Sequence, residues 1–271
     1  MRQLTRNAAV TIVAIAALFW IVGQYETALR DPRFLDGWIL AAAMIAQLSY
    51  HVRKQLPALT LGRAASWLKL HVYAGYFVIA AFLMHTSFSL PETSLEWVLW
   101  ILFMVVAVSG IFGLFLTRSI PARLQHVSAD QVTFEQIGAA RARLAGEVDG
   151  LMLNSVKNAA SAALSDYYAD HLYGYFRKPR HVGAHLRGSR YPLQAMCDDL
   201  DRLESHPNSK AEELLEKLKA HVVAKFDLDH QYALQGLQHA WLFIHIPATY
   251  CLIAMSVLHT MVVYAYSSGV R

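Results

Sequence analysis

Cysteine, charge and glycine-rich motifs are all scarce in this chain. Its 271 residues include two cysteines, Cys197 and Cys251. The first lies in a polar stretch and the second in an apolar run, so no disulfide is expected between them. No Cys-x-x-Cys-His occurs, which excludes a covalently attached c-type haem, and no cysteine cluster could hold an iron–sulfur centre. Neither a Gly-x-Gly-x-x-Gly nor a P-loop is present, so the chain brings no evident nucleotide site. Asp, Glu, Lys and Arg make up 16% of the residues, well below the roughly 25% of soluble domains. The net charge of +4 comes mostly from Lys and Arg that flank apolar runs. No nucleic-acid partner is expected.

What is abundant is apolar sequence, at 55%, with a mean hydropathy of +0.30. A membrane span needs about 20 mostly apolar residues. Val72 to Leu90 and Trp97 to Thr117 carry no charge, and Gly236 to Ser268 is uncharged if its histidines are neutral. Two weaker spans precede these, Ala8 to Gly23 and Gly37 to Tyr50. The expected fold is an all-α membrane protein of five transmembrane helices. The first span is too long for a cleaved signal peptide and lacks its small-residue cleavage site.

Loop charge sets the expected orientation, because cytoplasmic loops are enriched in Lys and Arg. Arg2 and Arg6 precede span one; Arg53, Lys54, Arg63 and Lys69 follow span two; Arg118 and Arg123 follow span four. The opposite side has Arg30 and Arg33, and no Lys or Arg between Pro91 and Glu96. The N-terminus is therefore expected in the cytoplasm and the C-terminus outside, most simply in a bacterial inner membrane.

This reading gives three parts: spans one to four in residues 1–118, an insertion in 119–235, and span five in 236–271. The insertion is polar and long enough for a small helical domain on the cytoplasmic side. Phe134, Ile137, Leu144, Val148, Leu151 and Val156 recur at helical intervals. Ser209 to Glu212 reads as a capping box opening a helix through Lys225. Gly174 to Arg190 is basic and, with Pro179, Gly183 and Gly188, loop-like. Asp229 is placed at the start of a last helix running into span five.

Two histidine pairs stand out in the apolar runs: His71 with His85, and His245 with His259. Each pair is 14 residues apart, roughly 21 Å along a helix with about 40° between the side chains. Each helix thus offers two imidazoles on one face at two depths. Ionisable side chains in spans are rare and usually functional. The topology makes the two helices parallel, so His71 pairs with His245 near the cytoplasmic face and His85 with His259 near the outer face. Ligands so far apart on one helix exclude a shared zinc site. They suit the axial ligands of two non-covalent b-type haems, one held by each depth-matched pair, whose iron would keep no open position.

Gly75, one turn after His71, removes a side chain where a porphyrin would approach, and Gly110 and Gly113 on span four could do the same. Close helix packing explains these glycines equally well. Pro247 could kink span five. Trp67, Trp97, Trp100 and Trp241 read as interfacial anchors. Arg63, Lys69 and Arg118 are candidates to pair with haem propionates. His181 and His185, four residues apart in the basic stretch, lack a third metal ligand. His51 and His239, at cytoplasmic span ends, are candidates for a quinone site or proton path. The basic stretch could attract an acidic redox partner or anionic lipid.

The segments Leu70–Gly75 and Met84–His85, with Trp241–Pro247 and Leu258–His259, resemble a membrane di-haem cytochrome b. Bis-histidine pairs on two parallel helices are the arrangement in the cytochrome b of quinol–cytochrome c oxidoreductases. Histidines on spans three and five also resemble the ferric reductase membrane domain. The resemblance covers roughly Trp67 to Thr117 and Gly236 to Ser268. It implies a subunit moving electrons across the membrane between a quinone pool and a peripheral partner. That partner would be a multihaem cytochrome, iron–sulfur or flavoprotein subunit of the same redox complex. No Pro-Glu-Trp-Tyr-like quinol motif and no flavin or nicotinamide domain is seen, so donor and acceptor are expected on other chains. The rival readings are a ferric-reductase-like enzyme, and a non-redox transporter or haem-handling protein that uses intramembrane histidines.

Overall fold

The computed structural model describes residues 2–27, 33–55, 63–125, 132–157, 162–203 and 209–267. Those residues are helical, with no strand among them. Helices α1 (Arg2–Thr27), α2 (Arg33–Gln55), α3 (Ala64–His85) and α4 (Ser94–Gln125) come first. They are followed by α5 (Phe134–Lys157), α6 (Ala162–Tyr167), a π turn at Tyr168–Leu172, α7 (Tyr173–Arg177), α8 (Val182–Arg187) and α9 (Tyr191–Arg202). The chain closes with α10, Ser209–Ser267. It is a continuous helix of 59 residues.

Four helices among the described residues are long and apolar enough to cross a membrane: Thr5–Tyr25, Ala65–His85, Ser94–Gln125 and Ala211–Tyr266. The expected second span is a shorter apolar helix, Phe34–Tyr50, below the roughly 20 residues a span needs. These helices are compatible with an integral membrane protein.

Several helix ends follow from local chemistry. Thr93 and Glu96 cap α4 reciprocally. The Glu96 amide donates to Thr93 Oγ1 at 3.3 Å, and Glu96 Oε2 accepts from the Glu92 and Thr93 amides at 2.9 and 3.2 Å. Helix α3 stops directly after His85, where Ser87 and Phe88 take positive φ of 51° and 56°. The Phe88 amide bonds back to the Leu83 carbonyl at 3.0 Å, so the strained turn closes the helix.

The chain divides into two compact units: one of Met1–Leu114 with Phe243–Arg271, the other Phe115–Leu242. In the first, Leu18 and Val22 of α1, Leu40 of α2, Val78, Ala81 and Phe82 of α3, Phe103 of α4 and Leu252 of α10 form the core. Phe82 and Phe103 stack with ring centroids 3.7 Å apart. In the second, Val148 and Met152 of α5 pack with Leu172, Phe176, Leu200, Leu218 and Val222 in a larger core. A second cluster there sets Leu116 and Ile120 of α4 against Leu234 of α10, joined by Leu186, Leu237 and Trp241.

Two expectations about the second unit are corrected. Gly174 to Arg190 is not simply a loop, because most of it belongs to α7 and α8. Pro179 breaks the two apart, and Gly188, at φ 76°, closes α8 in the left-handed conformation that glycine adopts at little cost. Asp229 does not start a helix either. It lies inside α10, buried and ion-paired with Lys225 one turn earlier. A buried carboxylate with a buried cation in reach has no need to seek solvent at a helix end.

Candidate functional site

All four span histidines lie in the first unit, two on α3 and two on α10. Both helices run without interruption between their histidines, α10 passing through Pro247. Each pair is therefore held about 21 Å apart along its axis.

The structure brings His85 and His259 together. Their ring centroids are 6.4 Å apart and their planes nearly perpendicular, at 86°. A metal–imidazole bond is about 2.0 Å, and the ring nitrogen lies about 1.1 Å from the centroid, so two trans imidazoles on one metal would be separated by about 6.2 Å. The separation of the two rings is compatible with both reaching one metal ion.

His85 is also oriented. Its Nδ1 donates to Asp36 Oδ1 at 2.8 Å, and Asp36, at the start of α2, is only 4% exposed. A carboxylate on Nδ1–H fixes the tautomer that leaves the Nε2 lone pair for a metal. Gly37, beside Asp36, is required for this approach, since a Cβ there would lie 3.1 Å from His85 Cε1. Around this end Trp38 Nε1 donates to the Tyr264 hydroxyl at 2.8 Å. Phe34 stands edge-on to the same ring, as aromatic residues do at a membrane interface.

At the other depth, His245 is oriented by a hydroxyl. Ser109 Oγ donates to the Val106 carbonyl at 3.0 Å and accepts from His245 Nδ1–H at 2.8 Å. Gly110 follows Ser109, and a Cβ on it would lie 3.6 Å from His245 Cε1. His71 lies within electrostatic reach of His245. Its ring packs on Tyr50 with centroids 5.3 Å apart, near the Gln47 backbone. Among the described residues, His71 Nδ1 and Gln47 Oε1 are buried without hydrogen-bond partners.

The glycines divide. Gly110 faces a histidine, whereas Gly75 faces α2, where a Cβ would meet Gln47 Nε2 at 3.2 Å. Gly113 is buried on α4. Arg63, Lys69 and Arg118 are exposed. His239 is an exposed ring stacked on Phe134 at 4.4 Å. His51 belongs to α2, but its side chain, like Arg30, Arg53 and Lys54, is outside the described residues. His181 and His185 do not form a facing pair: His181 is exposed at φ 56°, while His185 is buried. Burial holds the His185 ring at about 4, well below its ordinary value, with the neighbouring His230 adding to the effect. Cys197 and Cys251 are both free.

No group of three or more His, Cys, Asp or Glu gathers to hold a metal ion among the described residues. A haem asks the protein for two axial ligands only. Sequence reading missed Asp36, Gly37, Gln47 and Ser109. Asp36 alone had a signal, a lone carboxylate abutting an apolar run. No family profile, curated protein or solved structure matches this chain.

Proposed function

We propose that this chain is a di-haem b-type electron-transfer subunit spanning the membrane five times, with α2 as the short second span. The observation that carries the reading is the separation of His85 and His259, which suits one iron, with Asp36 on the far nitrogen of His85. His71 with His245 would hold the second haem, and Gly110 keeps the wall beside His245 clear. A bis-histidine haem, when bound, supplies one-electron chemistry without an open coordination position. At two depths, the four histidines would carry electrons between the two membrane faces, serving a quinone pool and a peripheral redox subunit.

The orienting partners make the two sites unequal. Asp36 gives His85 a carboxylate, whereas Ser109 gives His245 a neutral hydroxyl. A stronger acceptor on Nδ1–H makes the imidazole a better electron donor and favours the oxidised metal. A haem held by His85 and His259 would be expected to have the lower reduction potential of the two. In a redox titration, Asp36→Asn should raise one of two midpoints and leave the other in place.

The reduced-minus-oxidised absorption spectrum of the purified protein tests the assignment. A b-type α band unshifted by carbon monoxide supports six-coordinate bis-histidine sites. A folded, colourless protein, or a reduced spectrum that carbon monoxide shifts, would refute it.

A further inference from the structure

The basic segment Arg177–Arg190 is left without a role by the electron path. Between Asp170 and Asp198 there is no acidic residue, but there are five Lys or Arg. Arg177 is engaged with Asp149 at 2.6 Å. Lys178, Arg180, Arg187 and Arg190 are exposed, and none of them forms an ion pair among the described residues. Arg190 lies within electrostatic reach of Asp227, and the cationic charge of the stretch is concentrated on α8 and its flanks.

The level at which α8 sits is fixed by packing inside the second unit. Leu186 packs against the cluster formed by Leu116 and Ile120 of α4 and Leu234 of α10, which Leu124, Leu237 and Trp241 also border. Leu116 is the last leucine of the uncharged run that ends at Thr117, and Leu237 and Trp241 open the uncharged run that begins at Gly236. The α8 helix is thus seated where two apolar runs meet polar sequence. A clamp holds it there: Arg123 Nη2 donates to the His185 carbonyl at 2.8 Å. Arg123 also approaches Gly188, where a Cβ would stand 3.5 Å from Nη2. On the solvent side, Tyr191 is 75% exposed and Val182 is also open. An exposed tyrosine among cations is the composition of a membrane-interface anchor.

We infer that Lys178, Arg180, Arg187 and Arg190, with Tyr191 beside them, form a docking surface for the headgroups of acidic phospholipids in the leaflet on the insertion side. Cations next to a span attract anionic lipid over a short, salt-screened range. The flexible stems of Lys and Arg can reach headgroup phosphates while their methylenes lie along apolar surface. The inference rests on the membrane spans and not on the haem assignment.

The test places the full-length protein in nanodiscs of phosphatidylcholine alone, or with added phosphatidylglycerol, and follows hydrogen exchange peptide by peptide. Exchange across residues 177–191 should slow severalfold when phosphatidylglycerol is present, and high salt should reverse the effect. The variant Lys178→Gln/Arg180→Gln/Arg187→Gln/Arg190→Gln should exchange alike in both bilayers, with other peptides unchanged. If that variant fails to fold, Arg187→Gln/Arg190→Gln should lose a large part of the effect. Equal exchange of the wild-type segment in both bilayers overturns the proposal. So does equal protection by inorganic phosphate in phosphatidylcholine discs, which indicates a soluble-anion site. Protection only on adding an acidic protein partner overturns it as well. Haem content is read from the same samples, so failure of the lipid surface is separable from failure of the redox reading.

Discussion

The two parts of α10 share one backbone rod and solve opposite problems. From Leu214 to Phe226 the helix turns its large apolar residues inward: Leu214, Leu215, Leu218, Val222 and Phe226 are buried. From Phe243 onward it turns them outward, with Phe243 81% exposed and Ile244, Val257, Leu258 and Met261 also open. Burial away from water stabilises the first arrangement, whereas the outward apolar face of the second is compatible with a lipid surround. Polar groups invert in the same way. The second unit buries a charged cluster, in which Asp229 accepts from the Arg180 amide and from Lys225 and faces Arg141 as an ion pair at 3.4 Å. The first unit places its few polar side chains against histidine nitrogens. One unit buries a larger core, and the other sets four histidines on two helices beside a smaller one.

Substitutions that respect this division should separate the units. The largest stability loss is expected from Asp229→Ala, which strands Lys225 and Arg141 in the interior, at about 3–5 kcal/mol for removing one partner of a buried pair. It should be read as lost hydrogen-exchange protection of the second unit in the intact chain. Leu218→Ala, at a fully buried position, should cost about 2–5 kcal/mol. Its counterpart Leu258→Ala, on the exposed side of the same helix, should stay near neutral in a bilayer. Equal losses at the two positions would break the comparison.

Acid should act on the second unit through His185. Its folded value of about 4 lies below the ordinary 6.5, so the fold prefers the neutral ring. The stability this contributes is present above pH 6.5 and is lost as pH falls toward 4. Exchange protection of α8 and its neighbours should weaken in that window, and His185→Gln should flatten the acid limb. Phe243→Ala, at an 81% exposed position, should have the smallest effect, within about 0.5 kcal/mol. A large loss there would place that side chain against protein.

Much of this division was readable in the residues. Charge-free runs mark the apolar helices, and the 14-residue echo of the histidines marks their faces. The fold of the insertion was readable only in part. The periodicity from Phe134 to Leu151 follows the buried face of α5, with Ile137 and Val148 fully enclosed. The short helices around Pro179 were hidden by their glycines, and the Lys225–Asp229 pair resembled a polar helix start. Asp36 and Ser109 escaped for another reason. A side chain that orients a histidine does so across helices, and no spacing within one helix records it. Asp36 and His85 are 49 positions apart, and Ser109 and His245 are 136 apart.

If four histidines hold two haems in two pairs, the number of haems per chain follows the number of intact pairs. Haem per chain should be two in the wild type, one in either His85→Ala or His259→Ala, and still one when both are combined. Combining His259→Ala with His245→Ala should leave none. Haem absent from folded wild-type protein, or two haems retained after removal of His259, would contradict the account.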